Sequence, residues 1–171
     1  MFSRQDVEKY FLAEKQLGLV FIIIGAIAVV AAIVFFFLLK TAFYKGLAIP
    51  LLIIGLIQLI AGNTVYKKSD EDRKRNVYAY DMNPAQLKNE ELPRMQTVIK
   101  KFVVIQWVEM ALIVTGLVLL FYCRANTDKA FWYGFGIALV IQALLMFVAD
   151  YAAERRAQQY IKGIESFVNR K

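Results

Sequence analysis

The chain has 171 residues, 59% of them hydrophobic and 14% aromatic, with a net charge of +7, one Cys and no His. That apolar share is well above the range of a soluble domain and excludes one. The lack of His excludes imidazole metal sites and His-based acid–base catalysis, and Cys123 has no second Cys for an internal disulfide.

Four apolar runs reach the ~20 residues a helix needs to cross a bilayer core of about 30 Å. They are residues 17–39, 46–65, 102–123 and 130–149. They predict an all-α membrane protein of four transmembrane helices, built as two tandem hairpins with helical extensions. Residues 1–171 form one domain, with a long loop at about 66–101.

The first stretch, SRQDVEKYFLAEKQ, opens with a capping-box pattern, Ser3 and Asp6. Val7, Tyr10, Phe11 and Leu17 then recur at helical spacing. This predicts an amphipathic helix that runs into the first span and either lies on the membrane surface or packs against the protein's other extramembrane helices. The first apolar run continues past Ala26 and Ala28 to Leu39, too long for a cleavable signal peptide. Ala28 and Ala32 form a small-xxx-small pair that admits a close neighbouring helix, expected within the same chain.

After the turn KTAFYK, the second span carries Pro50 near its outer end, and Gly55, Gln58 and Gly62 share one face. The sequence beyond Tyr66 is charged. Asp70 with Lys74 and Glu71 with Arg75 are acid-to-base pairs four residues apart, so the helix is expected to continue to about Tyr80. Asn83-Pro84 reads as an N-cap with Pro in the first helical position, and Pro93 as the start of the helix that enters the third span.

The third span carries the stripe Gln106, Glu109, Ile113 and Gly116; the fourth carries Gly134, Ala138, Gln142 and Ala149. The tail continues as an amphipathic helix through Ala153, Ala157, Ile161, Ile164 and Val168. Trp107, Trp132, Tyr133 and Tyr151 read as interfacial anchors. A shift of 84 residues carries Lys40 onto Arg124, Lys45 onto Lys129 and Gln58 onto Gln142, the pattern of a parallel tandem repeat. Glu109 falls opposite Gly25, so the acid belongs to the second half alone.

Orientation follows from the basic residues. Seventeen of the 21 Lys and Arg lie in the N-terminal segment, the loop and the tail; the two short turns hold Lys40, Lys45, Arg124 and Lys129. Both termini and the loop are therefore expected in the cytoplasm, and a bacterial inner membrane is the natural setting. The net charge fits contact with anionic lipid. Nucleic acid is not an expected partner, because the basic residues border the membrane instead of forming a separate module.

Glu109 lies eight residues past Lys101, about 12 Å below the boundary at about 1.5 Å per residue. Gln58 lies eight residues before Tyr66 and Gln142 eight before Asp150, at the edges where spans two and four end, so a polar layer of Gln58, Gln106, Glu109 and Gln142 is expected at one depth. An acid at this depth is costly and faces other helices. Its first reading is a structural clamp; its functional reading is a site for a proton, a cation or a cationic substrate. Small multidrug transporters also have four spans and one membrane-embedded Glu, but here the Glu is in span three and no motif of that family is present.

No metalloprotease, nucleophile-elbow, P-loop or paired-cysteine motif occurs, so no enzyme and no cofactor is expected. The outer turns are too short for an extracellular receptor. The plan is similar, in architecture alone, to that of some colicin immunity proteins. The expected function is binding to another membrane protein, as a protector against a membrane-inserting toxin or as an accessory subunit. The candidate cytoplasmic partner surface is Asp70, Glu71, Arg73, Arg75, Tyr78, Tyr80, Arg155, Arg156 and Tyr160. The alternative is a small homo-oligomeric transporter or channel with Glu109 as its coupling residue.

Overall fold

The computed structural model describes residues 2–169, and these fold almost entirely as helix, with no strand among them. Helix α1 spans Arg4–Val34 and ends in a π-helical turn, Phe35–Leu39. Helix α2 spans Ala42–Met82, α3 is the short Pro84–Gln86, α4 spans Leu92–Cys123 and α5 spans Ala130–Val168. Helices α1, α2, α4 and α5 each carry a stretch long and apolar enough to cross a membrane, so this is an all-α membrane protein.

The helix ends follow local chemistry. Ser3 Oγ accepts from the Asp6 amide at 3.4 Å, and Asp6 Oδ2 accepts from the Ser3 amide at 2.8 Å, completing the capping box. Thr41 Oγ1 accepts from the Tyr44 amide at 3.4 Å and caps α2. The turn between α1 and α2 is therefore tighter than KTAFYK suggests. It is made at Lys40 and Thr41, with Lys40 in the left-handed region at φ 56°. Pro84 opens α3 and Pro93 lies in the first turn of α4, where neither costs a helical hydrogen bond.

Within the spans the helices meet along seams of small residues spaced by seven. Gly18, Gly25 and Ala32 form the seam of α1, and Ala48, Gly55, Gly62 and Ser69 that of α2. A seven-residue spacing keeps the seam on the partner along a left-handed supercoil. Lipid tails supply no hydrophobic drive for helix association, so close van der Waals approach must. A Cβ on Gly25 would lie 2.7 Å from the Gly55 carbonyl oxygen, which is why glycine is needed there. Ala28 packs into the same α1–α2 contact, as the small-xxx-small pair implied.

Glycine contacts give the order of the spans. Gly18 and Gly25 meet α2, Gly46 on α2 meets Phe131 on α5, and Gly136 on α5 meets Gly116 on α4. The spans thus stand in the order α1–α2–α5–α4, with α1 and α4 on the flanks. Only 11% of the apolar stretch of α4 is buried, against 33% in α2 and in α5.

At the basic end, which also carries the start of α1 and the end of α5, packing changes character. Val7, Phe11, Ala79, Leu87, Met95, Ala157, Tyr160 and Ile164 form a core in which large side chains replace glycines. Tyr10 stacks on Tyr160 with ring centroids 4.3 Å apart. Here water supplies the hydrophobic drive that lipid does not. The N-terminal helix is part of this core, which settles its two readings in favour of packing on the protein's own helices.

The charged run also differs in detail from its reading. In place of the i,i+4 pairs, Asp70 pairs with Lys15 and with Arg73 (3.5 Å), and Asp72 with Arg75 (2.9 Å). Buried Glu91 accepts a fork from Arg94 at 2.8 and 2.7 Å, and Arg94 reaches Asp72 at 3.4 Å, tying α4 to α2.

Candidate functional site

The four polar side chains expected in one layer are all placed between helices, but as separate pairs. Gln58 Nε2 donates to Gln142 Oε1 at 3.0 Å across the α2–α5 contact. Both residues are buried, and Gln58 Oε1 has no partner.

Glu109 joins neither glutamine. It is 2% exposed, and neither carboxyl oxygen has a hydrogen-bond partner. The charged group beside it is the carboxyl of Asp150 on α5, which is also buried. Two carboxylates are both acceptors, so a hydrogen bond between them needs a proton on one of the two. Side-chain direction explains the choice. A long helical side chain leans toward its own N-terminus, and the N-terminus of α4 is at the basic end. Glu109 therefore rises toward Asp150 and away from Gln142. One turn nearer the basic end, Gln106 Nε2 donates to Glu154 Oε2 at 2.7 Å. The α4–α5 seam thus carries two polar rungs in succession.

A third carboxyl extends the file. Glu14 on α1 lies within electrostatic reach of Asp150, and its Oε1 accepts from Arg156 Nη2 at 3.2 Å. Burial pushes the Glu14 carboxyl above its ordinary 4.5; Arg156 opposes this and Asp150 adds to it. Glu14 also lines a cavity of ≈ 220 Å³ between α1, α2 and α4, with Tyr10, Lys68, Asp72, Arg94 and Phe102 among its walls. Carboxyls therefore run from this cavity, through Glu14 and Asp150, to Glu109 at the seam.

Glu14 and Asp150 are missing from the sequence reading, which placed Asp150 only at a span edge. The signal was the spacing of seven. Asp150 continues the buried series Gly136 and Ala143, and Glu14 lies seven residues from buried Val7. A period of 3.6 drifts off these faces; a period of 3.5 stays on them.

The proposed partner surface divides. Tyr160 is in the core, Tyr80 stacks on Phe167 at 4.5 Å, and Arg156 is engaged with Glu14. Asp70, Arg73 and Arg75 form intramolecular ion pairs. Glu71, Tyr78 and Arg155 remain on the surface, Arg155 over the ring of Tyr151.

Among the described residues no group of three or more Cys, Asp and Glu side chains is placed to hold a metal ion. No family model, no curated protein and no solved structure matches the chain.

Proposed function

We propose that this is a non-enzymatic integral membrane protein that acts by binding another membrane protein. Its basic end faces the cytoplasm, by the Lys and Arg asymmetry. The reading is carried by the exposure of α4. This helix packs along one stripe, through Glu109, Gly116 and Cys123, and leaves Val104, Trp107, Val108, Val114, Val118 and Phe121 uncovered. Its lower part is anchored by the Arg94–Glu91 fork and the terminal core, so the face is presented on a fixed support. The most concrete forms are an immunity-type protector against a membrane-inserting toxin in a bacterial inner membrane, and an accessory subunit of a membrane complex.

The test is a mild-detergent purification of the tagged protein from its native membranes, with mass spectrometry of what stays bound. A single protein in stoichiometric amount, lost on Val108→Phe and Val118→Phe, is expected. A clean homo-oligomer with no other protein contradicts the reading.

A second reading is favoured by the buried Glu109–Asp150 pair: an oligomeric transporter or channel with Glu109 as coupling residue. Glu109→Gln discriminates, since an amide still hydrogen-bonds but does not titrate. On this reading the wild-type chain gives coupled flux in proteoliposomes that Glu109→Gln abolishes; on the first reading it gives no flux, and Glu109→Gln leaves partner binding intact.

A further inference from the structure

We propose that Glu109 and Asp150 together hold one exchangeable proton, supplied from the basic side of the membrane through Glu14 and the cavity that it lines. The proposal holds with either reading of function, because it concerns a site within one copy of the chain.

Three observations carry it. Glu109 is 98% buried (2% exposed), and both of its oxygens lack a partner. A side chain so placed needs either a proton or a cation. Asp150 faces it, so two carboxyls share one desolvated position, and two adjacent carboxylates cannot both remain ionised away from water. Arg156 is committed to Glu14, and among the described residues no ion pair joins Glu109 or Asp150 to a base.

The donor set chooses between proton and metal. Hard cations take six or more oxygen ligands. The helical carbonyls here are occupied by their own helices, and no third ligating side chain joins the pair. A proton needs only one oxygen as its base and a second as acceptor. The carboxyl pair supplies both.

Access lies on one side. The charged groups facing the site from the surrounding helices are Glu14 from α1, Arg156 and Glu154 from α5, and, across the cavity, Lys68 and Asp72 from α2 and Arg94 from α4. On the other side along α5 lie Ala143, Gln142 and Leu139, which do not titrate. A proton leaving the pair is accepted by the Glu14 carboxylate and released as hydronium to water in the cavity. The carboxyl pair is left with one more negative charge.

The experiment is infrared spectroscopy of the full chain in lipid nanodiscs, titrated in H2O and D2O. The expected result is a protonated carboxylic-acid carbonyl band at neutral pH that shifts in D2O and converts to carboxylate on alkalinisation. Glu109→Gln and Asp150→Asn should each remove it, because the amide then donates to the remaining carboxylate. Glu14→Gln should keep the band but slow its hydrogen–deuterium exchange by about 100-fold, the scale lost with a positioned proton-transfer group. Far-ultraviolet circular dichroism checks that each variant is folded. The proposal is overturned if folded wild-type protein shows no such band, or if the band survives in both pair variants. Unchanged exchange in Glu14→Gln overturns the access route.

Discussion

Gln58 and Gln142, 84 positions apart, are hydrogen-bonded to each other at 3.0 Å where α2 and α5 run side by side in the same direction. They are the positions that the shift of 84 residues carries onto each other. Interhelical hydrogen bonds in membranes contribute about 0.6 kcal/mol on average, because partners also exist in the unfolded membrane-inserted state. A double-mutant cycle with Gln58→Leu and Gln142→Leu is expected to give a coupling energy of about that size, read from unfolding in mixed micelles. A coupling near zero would mean that small-residue packing alone joins the hairpins.

The α1–α2 seam should be more sensitive than that hydrogen bond. Gly25→Ala places a methyl group 2.7 Å from a backbone oxygen on α2, where no flexible side-chain end can move aside. Overpacking of this kind costs about 1–3 kcal/mol. The measurement is the same unfolding assay. Val29→Ala serves as a control, because its side chain reaches Gly55 only by its edge and its loss opens space without forcing backbones apart.

Arg94 supports a buried acid. Glu91 is 2% exposed and takes both fork bonds from Arg94, with Arg75 as a more distant partner at 3.7 Å. Removing one member of a buried ion pair leaves an uncompensated charge, at a cost of about 3–5 kcal/mol. Arg75 and the half-exposure of Arg94 place this pair at the lower end of that range. Arg94→Ala is expected to destabilise the terminal core and raise hydrogen exchange at Leu87 and Met95. Arg94→Lys should recover only part of the loss, since an ammonium does not reproduce the fork.

The capping box gives a pH dependence of known sign. The Ser3 side chain and amide hold the Asp6 carboxyl below its ordinary 3.8. A group lowered on folding contributes above its unfolded value and loses that contribution as pH falls through its folded one. Fraying of the first turn of α1 should therefore appear only below about pH 3.8, in amide exchange at residues 4–7. Ser3→Ala should cause similar fraying at neutral pH, at about 1 kcal/mol for a lost N-cap.

Much of this structure was legible in the sequence, for identifiable reasons. Span length and the polar–apolar contrast at Tyr66 and Lys101 gave the four helices, because the bilayer imposes its own ruler. Ser3, Pro84 and Pro93 marked helix starts through chemistry confined to a few residues. The polar layer was only half legible. Gln58 and Gln142 met as their shared register implied. Glu109 turned to Asp150 because depth was counted along helix axes, while side chains lean toward their helix N-termini. Glu14 was hidden because the N-terminal helix was read only for its capping box and its apolar stripe, Val7, Tyr10, Phe11 and Leu17. The ion pairs at Asp70 and Asp72 depend on where Lys15 and Arg94 arrive from other helices, which spacing along one helix does not contain.

Binding of another membrane protein along the open face of α4 is the central claim, and photo-crosslinking in native membranes tests it most directly. A photoreactive residue is placed singly at Val104, Val108 and Val118 on α4, and at Leu120, whose side chain reaches Gly136 on α5, as an internal control. The expected result is one discrete protein adduct, common to the three face positions and distinct from the intramolecular product at Leu120. Adducts to lipid alone at all three face positions would contradict the claim.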